Sequence, residues 1–434
     1  MESLQPLWNT FTSTPSSVLI WSLVGFLLVT DVVRRTIRWR RLRHVPGPPL
    51  AGWTSLWLTG SFLRGGFLED YEKLAAKYGP VIRVTPNRVL CSDVDALYRI
   101  SAVRSPYRKD EWYKVSKVSK HGDHTISLLG PEPRRERKKY IGPAYSGRGG
   151  VNFEHGADRA LASFIDLIER KYLSTPGHLV SMDFGEKVHY WALDSIGEIA
   201  YSSSFGMLDQ DRDTYGILAA NDGSVGLIKL LSNHTWIWHA LHRWPLLYLL
   251  PNDGDESGLG AIMGHVRHLV GTRLTAPPQP DMLQSFINHG LRGEDLCQEV
   301  GIQFFAGSDT VASLLRTTIL LLLTHPSTYR RLQSSLPPPP AAPTDEKEPD
   351  RSIIPDAEAK AIPYLRAVIQ EGIRLFPPVA MGAFWKEVPA EGDEVCGVRL
   401  PGGTVVGTSN GVWVTGRERA FWGGDAGTFR PERW

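Results

Sequence analysis

Apolar residues recur along most of this chain with the spacing of helices. Phe67 to Tyr78, FLEDYEKLAAKY, places them on one helical face, and Gly79-Pro80 ends the run. Asp93 to Ile100, Phe153 to Tyr172 and Phe184 to Tyr201 carry the same period. Asp281 offers its side chain as the cap of a helix running through His289. Gly293 to His325 is the longest helical stretch, and proline at 326 stops it. Ile362 to Phe376 is helical and ends at Pro377-Pro378. Strand patterns are short: a pair over Val81 to Leu90 turning near Pro86-Asn87, and a hairpin over Cys396 to Val406. Three prolines over 275–280 break any helix, and 336–350, proline-rich and then mixed in charge, reads as an exposed, mobile loop. No internal repeat is present. The expected class is mainly α with small β-sheets at both ends.

The front of the chain has a different pattern. Ser17 to Val33, SVLIWSLVGFLLVTDVV, is strongly apolar as far as Val29. It lies at the lower edge of the roughly 17–25 residues that span a bilayer. Arginines 34, 35, 38, 40, 41 and 43 follow at once, with no acid among residues 34–43. Basic residues stay on the cytosolic side, so this asymmetry predicts a signal anchor with the main domain in the cytosol. A cleaved signal would carry its charge before the apolar core. Val45-Pro-Gly-Pro-Pro49 cannot continue a helix and reads as a stiff spacer. The expected division is a short segment 1–16, an anchor 17–33, a basic and Pro-rich linker 34–49, and one large domain 50–434.

Composition adds exclusions. Of 434 residues, 42% are hydrophobic and 22% charged, as in globular proteins. The formal charge is +2 and becomes −4 without the six arginines. The basic excess is therefore local, which argues against nucleic acid as a partner. Cys91, Cys297 and Cys396 are widely spaced. They give neither a disulfide framework nor a metal-ligand pattern, and no metal ligand is assigned.

Two motifs carry candidate chemistry. Phe305-Ala-Gly-Ser-Asp-Thr-Val311 gathers small and polar residues at the centre of an apolar helix. Gly307 lets a flat group approach the backbone. A threonine hydroxyl can take a helix carbonyl and open a local bend, and Asp309 can pass protons. A polar patch at a helix crossing is the plainer reading. Glu371-Gly-Ile-Arg374 puts an acid and a base on one helix face. Alone this pair is a weak signal. Arg433, in Phe429-Arg-Pro-Glu-Arg-Trp434, is placed to close a buried Glu-Arg-Arg network with it.

FFAGSDTV, EGIR and FRPERW, in this order behind a basic anchor, resemble the haem-thiolate monooxygenases of the cytochrome P-450 family, most closely fungal microsomal members. The resemblance covers about residues 40–434. It implies an α-helical prism with small sheets, preceded by one transmembrane helix. It implies that Ala306, Gly307, Asp309 and Thr310 line the oxygen side of haem b, with Asp309 and Thr310 catalytic. Glu371, Arg374 and Arg433 would form a structural triad. Arg134, Arg137 and Lys138, from the cluster RRERKK, and Lys386 stand where the family holds the haem carboxylates. Residues 216–250 would form the access lid; they could line a substrate channel, dip into the membrane or pack as ordinary helices.

The sequence departs from the family where the haem-binding cysteine loop would follow Trp434, and none of the three cysteines has that loop's flanking pattern. The chain thus reads as truncated before its C-terminal segment. Two main functions follow. One is a monooxygenase on the endoplasmic reticulum membrane, oxidising a lipophilic small molecule of secondary metabolism with electrons from NADPH through a cytochrome reductase. The other is a non-catalytic remnant that binds haem poorly and serves as a ligand- or partner-binding protein. A haem protein catalysing redox-neutral rearrangement is a third, weaker reading.

Overall fold

The computed structural model describes residues 16–338, 353–379 and 384–434. Most of the mobile loop expected at 336–350 therefore lies outside the described residues. The fold is mainly α-helical, as the periodicity predicted. The helices that build it are α1 (Ser16–Arg41), α2 (Pro131–Tyr145), α3 (Phe153–Leu167), α4 (Phe184–Tyr201), α5 (Ile217–Asn233), α6 (Gly258–Thr275), α7 (Gly293–Thr324) and α8 (Pro363–Leu375). Shorter helices lie between them, including Leu56–Leu63, Phe67–Tyr78, Thr235–Leu241 and Met282–Asn288. Asp93 and Asp281 cap their helices through Ala96 N and Gln284 N.

The core is built around α7. Its Leu296, Val300, Phe304 and Ala312 are buried against Val188, Leu193 and Tyr201 of α4 and Ile262 and Met263 of α6. Burial of each large apolar side chain contributes about 1.5–3 kcal/mol. Helices approach closely where side chains are smallest. A Cβ added at Gly301 would lie 2.8 Å from the Met263 sulfur, and one at Gly307 would lie 3.0 Å from Ile196 Cγ1. Gly307 thus serves the contact of α4 with α7, whereas its sequence context had suggested an approach for a flat group. By length and mean hydropathy α7 is long and apolar enough to cross a membrane. It runs instead through the middle of the domain.

Five strands form one sheet in the order β1-β2-β7-β4-β3, where β1 is Val81–Arg83, β2 Arg88–Cys91, β3 Arg108–Lys109, β4 Trp385–Glu387 and β7 Val405–Gly407. Only the β2–β7 pairing is parallel, with Arg88 opposite Val405. The late hairpin differs from the expectation. Asp393–Val395 (β5) pairs with Val398–Leu400 (β6), turning through Cys396 and Gly397, both at positive φ. Val405 and Val406 belong to the larger sheet, because Pro401-Gly-Gly403 carries the chain away from the hairpin.

The helix that contains the expected anchor runs on past residue 33. Residues 34–41 continue α1 as its last turns, and only the following residues are extended or turned. Arg83 fastens this end of α1 to the sheet. Its buried guanidinium donates to the carbonyls of Arg38, Trp39, Gly52, Thr85 and Pro86. Burial lowers its pKa to about 10, which still leaves it charged at neutral pH. The positive charge lies at the C-terminal end of the helix, where the backbone dipole favours a cation. Trp39 stacks on Trp53 at 5.6 Å, and Leu42 is wholly buried. Arg83→Met should leave five carbonyls without this donor. We expect a loss on the order of 3 kcal/mol in urea denaturation, with faster tryptic cleavage at residues 38–43. A variant as stable and as resistant as the parent would contradict the fastening.

Candidate active site

Three cations converge on a cavity of about 660 Å³ between the sheet, helix Val94–Ser101 and α2. Lys109 comes from the two-residue strand β3, Arg134 from the first turn of α2, and Lys386 from β4. Pairing of β3 with β4 places Lys109 directly opposite Lys386. The rest of the lining is largely apolar or aromatic, including Leu97, Tyr98, Tyr113, Ile126 and Val412. Lys109 Nζ donates to Ile126 O at 2.8 Å and Thr125 O at 3.2 Å, and Lys386 Nζ to Ile100 O at 3.3 Å. Among the described residues, none of the three has a carboxylate within ion-pair distance. Burial, and then the neighbouring charges of Arg134, Lys138 and Lys386, lower the pKa of Lys109 to about 7. Lys386 is lowered too, by burial and Arg134. Cations crowded in this way attract an anion.

The structure separates the residues of the RRERKK cluster. Arg134 faces the cavity, whereas Lys138 is exposed on α2. Arg137 is buried and turned to α7, where it pairs with Glu299 at 2.8 Å and Asp295 at 2.5 Å. It also donates to Asp123 O. Glu299 is 1% exposed and further accepts from Thr125 N and Oγ1. Burial raises its pKa more than these partners lower it. Arg137 therefore ties α2 to α7, and the nearby carboxylates explain why it does not join the cavity. An acid among the mostly apolar residues 296–305 was the available signal for Glu299. Nothing in the local sequence marked Lys109.

Glu299 and Ala306 are seven residues apart, two helical turns, so they share a face of α7 about 10 Å apart along the axis. Ala306 is exposed on this face. Thr310 Oγ1 donates to Ala306 O at 3.0 Å, a hydroxyl bond to the carbonyl one turn back. Asp309 is half exposed, and its Oδ1 lies 3.8 Å from His189 Nε2 of α4. Just before this group, Ile302 and Phe305 line a second cavity of about 270 Å³ with Val115, Leu227, Leu231 and Trp238. This brings part of the 216–250 segment beside α7, while Trp236 and Trp244 stay exposed.

Glu371, Arg374 and Arg433 meet on α8. Arg374 makes a bidentate pair with Glu371, both contacts 2.7 Å, and Arg433 Nε lies 3.4 Å from the same carboxylate. Glu371 also accepts from Arg430 N at 2.9 Å and Trp434 Nε1 at 3.1 Å. These donors outweigh burial and hold its pKa below the usual carboxylate value. Arg374 further donates to the carbonyls of Gly416, Ala426 and Thr428, so the pair organises residues 416–430. Cys91 lies in β2, Cys297 on α7 and Cys396 in the β5–β6 turn; none lines the cation-rich cavity.

Residues 46–434 match the sequence model of the cytochrome P-450 family. The chain belongs to the cytochrome P-450 family. It is 36% identical over 435 residues to the cytochrome P-450 monooxygenase ABA1 of Pyricularia oryzae, covering 95% of this chain and 82% of that one. It is 32% identical to the monooxygenase aba1 of Botryotinia fuckeliana, covering 90% and 77%. The retinoic acid-bound cyanobacterial CYP120A1 superposes with a TM-score of 0.63 at 16% identity, over 90% of this chain and 81% of that one. This last likeness concerns the fold.

Membership in the cytochrome P-450 family implies haem, and the cavity fits it. Haem is a flat apolar ring carrying two carboxylates; Lys109, Arg134 and Lys386 supply unpaired cations in an otherwise mostly apolar cavity. An incoming carboxylate raises the pKa of Lys109, so binding takes up a proton wherever the free amine is neutral. Affinity for the dianion should therefore fall as pH rises above about 7. In haem-free protein at pH 8, acetic anhydride should modify Lys109 about tenfold faster than surface lysines, and haem should protect it. Modification at the ordinary surface rate would refute the lowered pKa.

Proposed function

We propose that this protein is a membrane-anchored, haem-dependent monooxygenase that oxidises a lipophilic small molecule of secondary metabolism. The observation that carries this reading is the cavity lined by the unpaired cations Lys109, Arg134 and Lys386; a separate apolar cavity is lined by Ile302 and Phe305 of α7, just before Ala306. When bound, haem supplies the iron chemistry that inserts one atom of dioxygen into the substrate while the other leaves as water. Lys109, Arg134 and Lys386 would hold its carboxylates by charge-assisted hydrogen bonds. Ala306 keeps the helix face low enough for a flat ring to lie near it. Val115, Leu227, Trp238 and Phe305 exclude water and hold an apolar substrate by area rather than by charge. Asp309 takes a proton from solvent. The Thr310 hydroxyl, already bonded to Ala306 O, has lone pairs left to accept that proton and pass one on. Glu371, Arg374 and Arg433 hold residues 416–430 in place and touch no reacting atom.

The proposed anchor is α1, with the main domain on the cytosolic face of the endoplasmic reticulum. Trp21, Phe26, Leu28 and Val29 stand exposed on it, and the arginines from 34 onward follow. Exposed Trp236, Trp244, Tyr248 and Leu249 suit the same interface. Electrons would come from NADPH through a membrane-bound cytochrome reductase.

In the haem-loaded, full-length enzyme, Thr310→Ala should lower product formed per NADPH by about tenfold, in the range of general acid–base contributions. NADPH consumption should continue, with the difference appearing as hydrogen peroxide. Unchanged coupling would remove Thr310 from the mechanism. The anchor is tested separately by alkaline carbonate extraction of cell membranes. The protein should stay in the membrane pellet, and a variant lacking residues 1–33 should be released. Release of the intact protein would overturn the anchor.

A further inference from the structure

His189 lies on α4 with 7% of its surface exposed, at the seam with α7. Asp309 is the one carboxylate within ion-pair distance of it among the described residues, at 3.8 Å from Nε2. The distance is set by the helix seam. Ile196, two turns further along α4, packs where a Cβ of Gly307 would be. The other charged groups that act on His189 are Arg316 of α7, Asp222 of α5 and Asp213 just before α5. Burial lowers the imidazole's pKa first; Asp309 raises it and Arg316 lowers it again. The net shift is downward, so His189 is neutral above its ordinary value of about 6.5.

We propose that His189 is a positioning residue for Asp309, holding at the α4–α7 seam the carboxylate that exchanges protons with Thr310. This rests on the proton role proposed above for Asp309. Asp309 is half exposed and would otherwise be free to turn towards bulk water. At 3.8 Å the two atoms stand just beyond hydrogen-bond range, and the proposed bond requires a side-chain rotation that closes them to about 3 Å. A neutral imidazole can then orient the carboxylate without fixing its charge. A protonated imidazole would hold Asp309 ionised and make it a poorer proton carrier. Coupling of NADPH to product should therefore fall on the acid side of neutrality, as His189 takes its proton.

Two readouts test this. In nuclear magnetic resonance titrations of haem-free protein, Asp309→Asn should lower the His189 pKa by about half a unit or more, since an attracting anion is lost. No change would overturn the pairing. In the haem-loaded, full-length enzyme, His189→Leu should raise peroxide released per NADPH about threefold and flatten the acid limb of the coupling profile. His189→Gln keeps an N–H donor and should retain coupling at neutral pH. If Asp309→Asn leaves coupling intact, the proposed role of Asp309 fails and this inference fails with it. If Asp309→Asn uncouples the enzyme but His189→Leu does not, His189 alone is overturned. Should His189→Leu not fold, the Gln variant decides: an acid limb identical to the parent's would contradict the proposal.

Discussion

Burying an ammonium without a carboxylate to answer it costs several kcal/mol, and this fold gathers Lys109, Arg134 and Lys386 around one cavity. Lys109 carries the consequence most clearly, with its pKa brought down to about 7. Neutral backbone carbonyls at Thr125 and Ile126 are its hydrogen-bond partners. Such an arrangement is unfavourable alone and becomes favourable when a dianion arrives. Much of the architecture follows from presenting these charges together. β3 and β4 must pair to set Lys109 opposite Lys386, and α2 must begin beside them to supply Arg134.

The second requirement is a long helix that crosses the domain close to its neighbours. Glu299, wholly enclosed, joins α7 to α2 and to the 121–128 segment through Arg137 and Thr125. Gly301 and Gly307 admit Met263 and Ile196 at van der Waals range. The polar residues at the centre then divide their tasks. Ser308 and Thr310 both donate to carbonyls one turn back, while Asp309 turns to His189 of α4, 3.8 Å away. Glu371 and Arg374 perform the equivalent service for residues 416–430. Their fixed charges are matched within the pair, so that network needs no ligand to be stable.

Much of this was legible in the sequence because it is local. Periodicity marked α4 and α7 almost to the residue, and Asp281 announced its helix. The Glu371–Arg374 spacing predicted a same-face pair because i and i+3 always share a face. What escaped depends on distant pairing. Lys109 lies in a strand of two residues whose partner is more than 270 positions away. The run of cations in α2 could not reveal that Arg134 faces the cavity while Arg137 is captured by Glu299 and Asp295. The turn at Cys396 was displaced because Val405 and Val406, typical strand residues, pair with β2 and β4 rather than with the hairpin.

The proposed seat of haem is made by the three unpaired cations together with the Ala306 face of α7. A crystal structure of the haem-loaded, full-length protein tests this directly. Both haem carboxylates should lie within hydrogen-bond distance of Lys109, Arg134 or Lys386, with the ring beside Ala306 and Arg137 still paired with Glu299. Haem carboxylates held by Arg137 or Lys138, with Lys109 left on the carbonyls of Thr125 and Ile126, would contradict it.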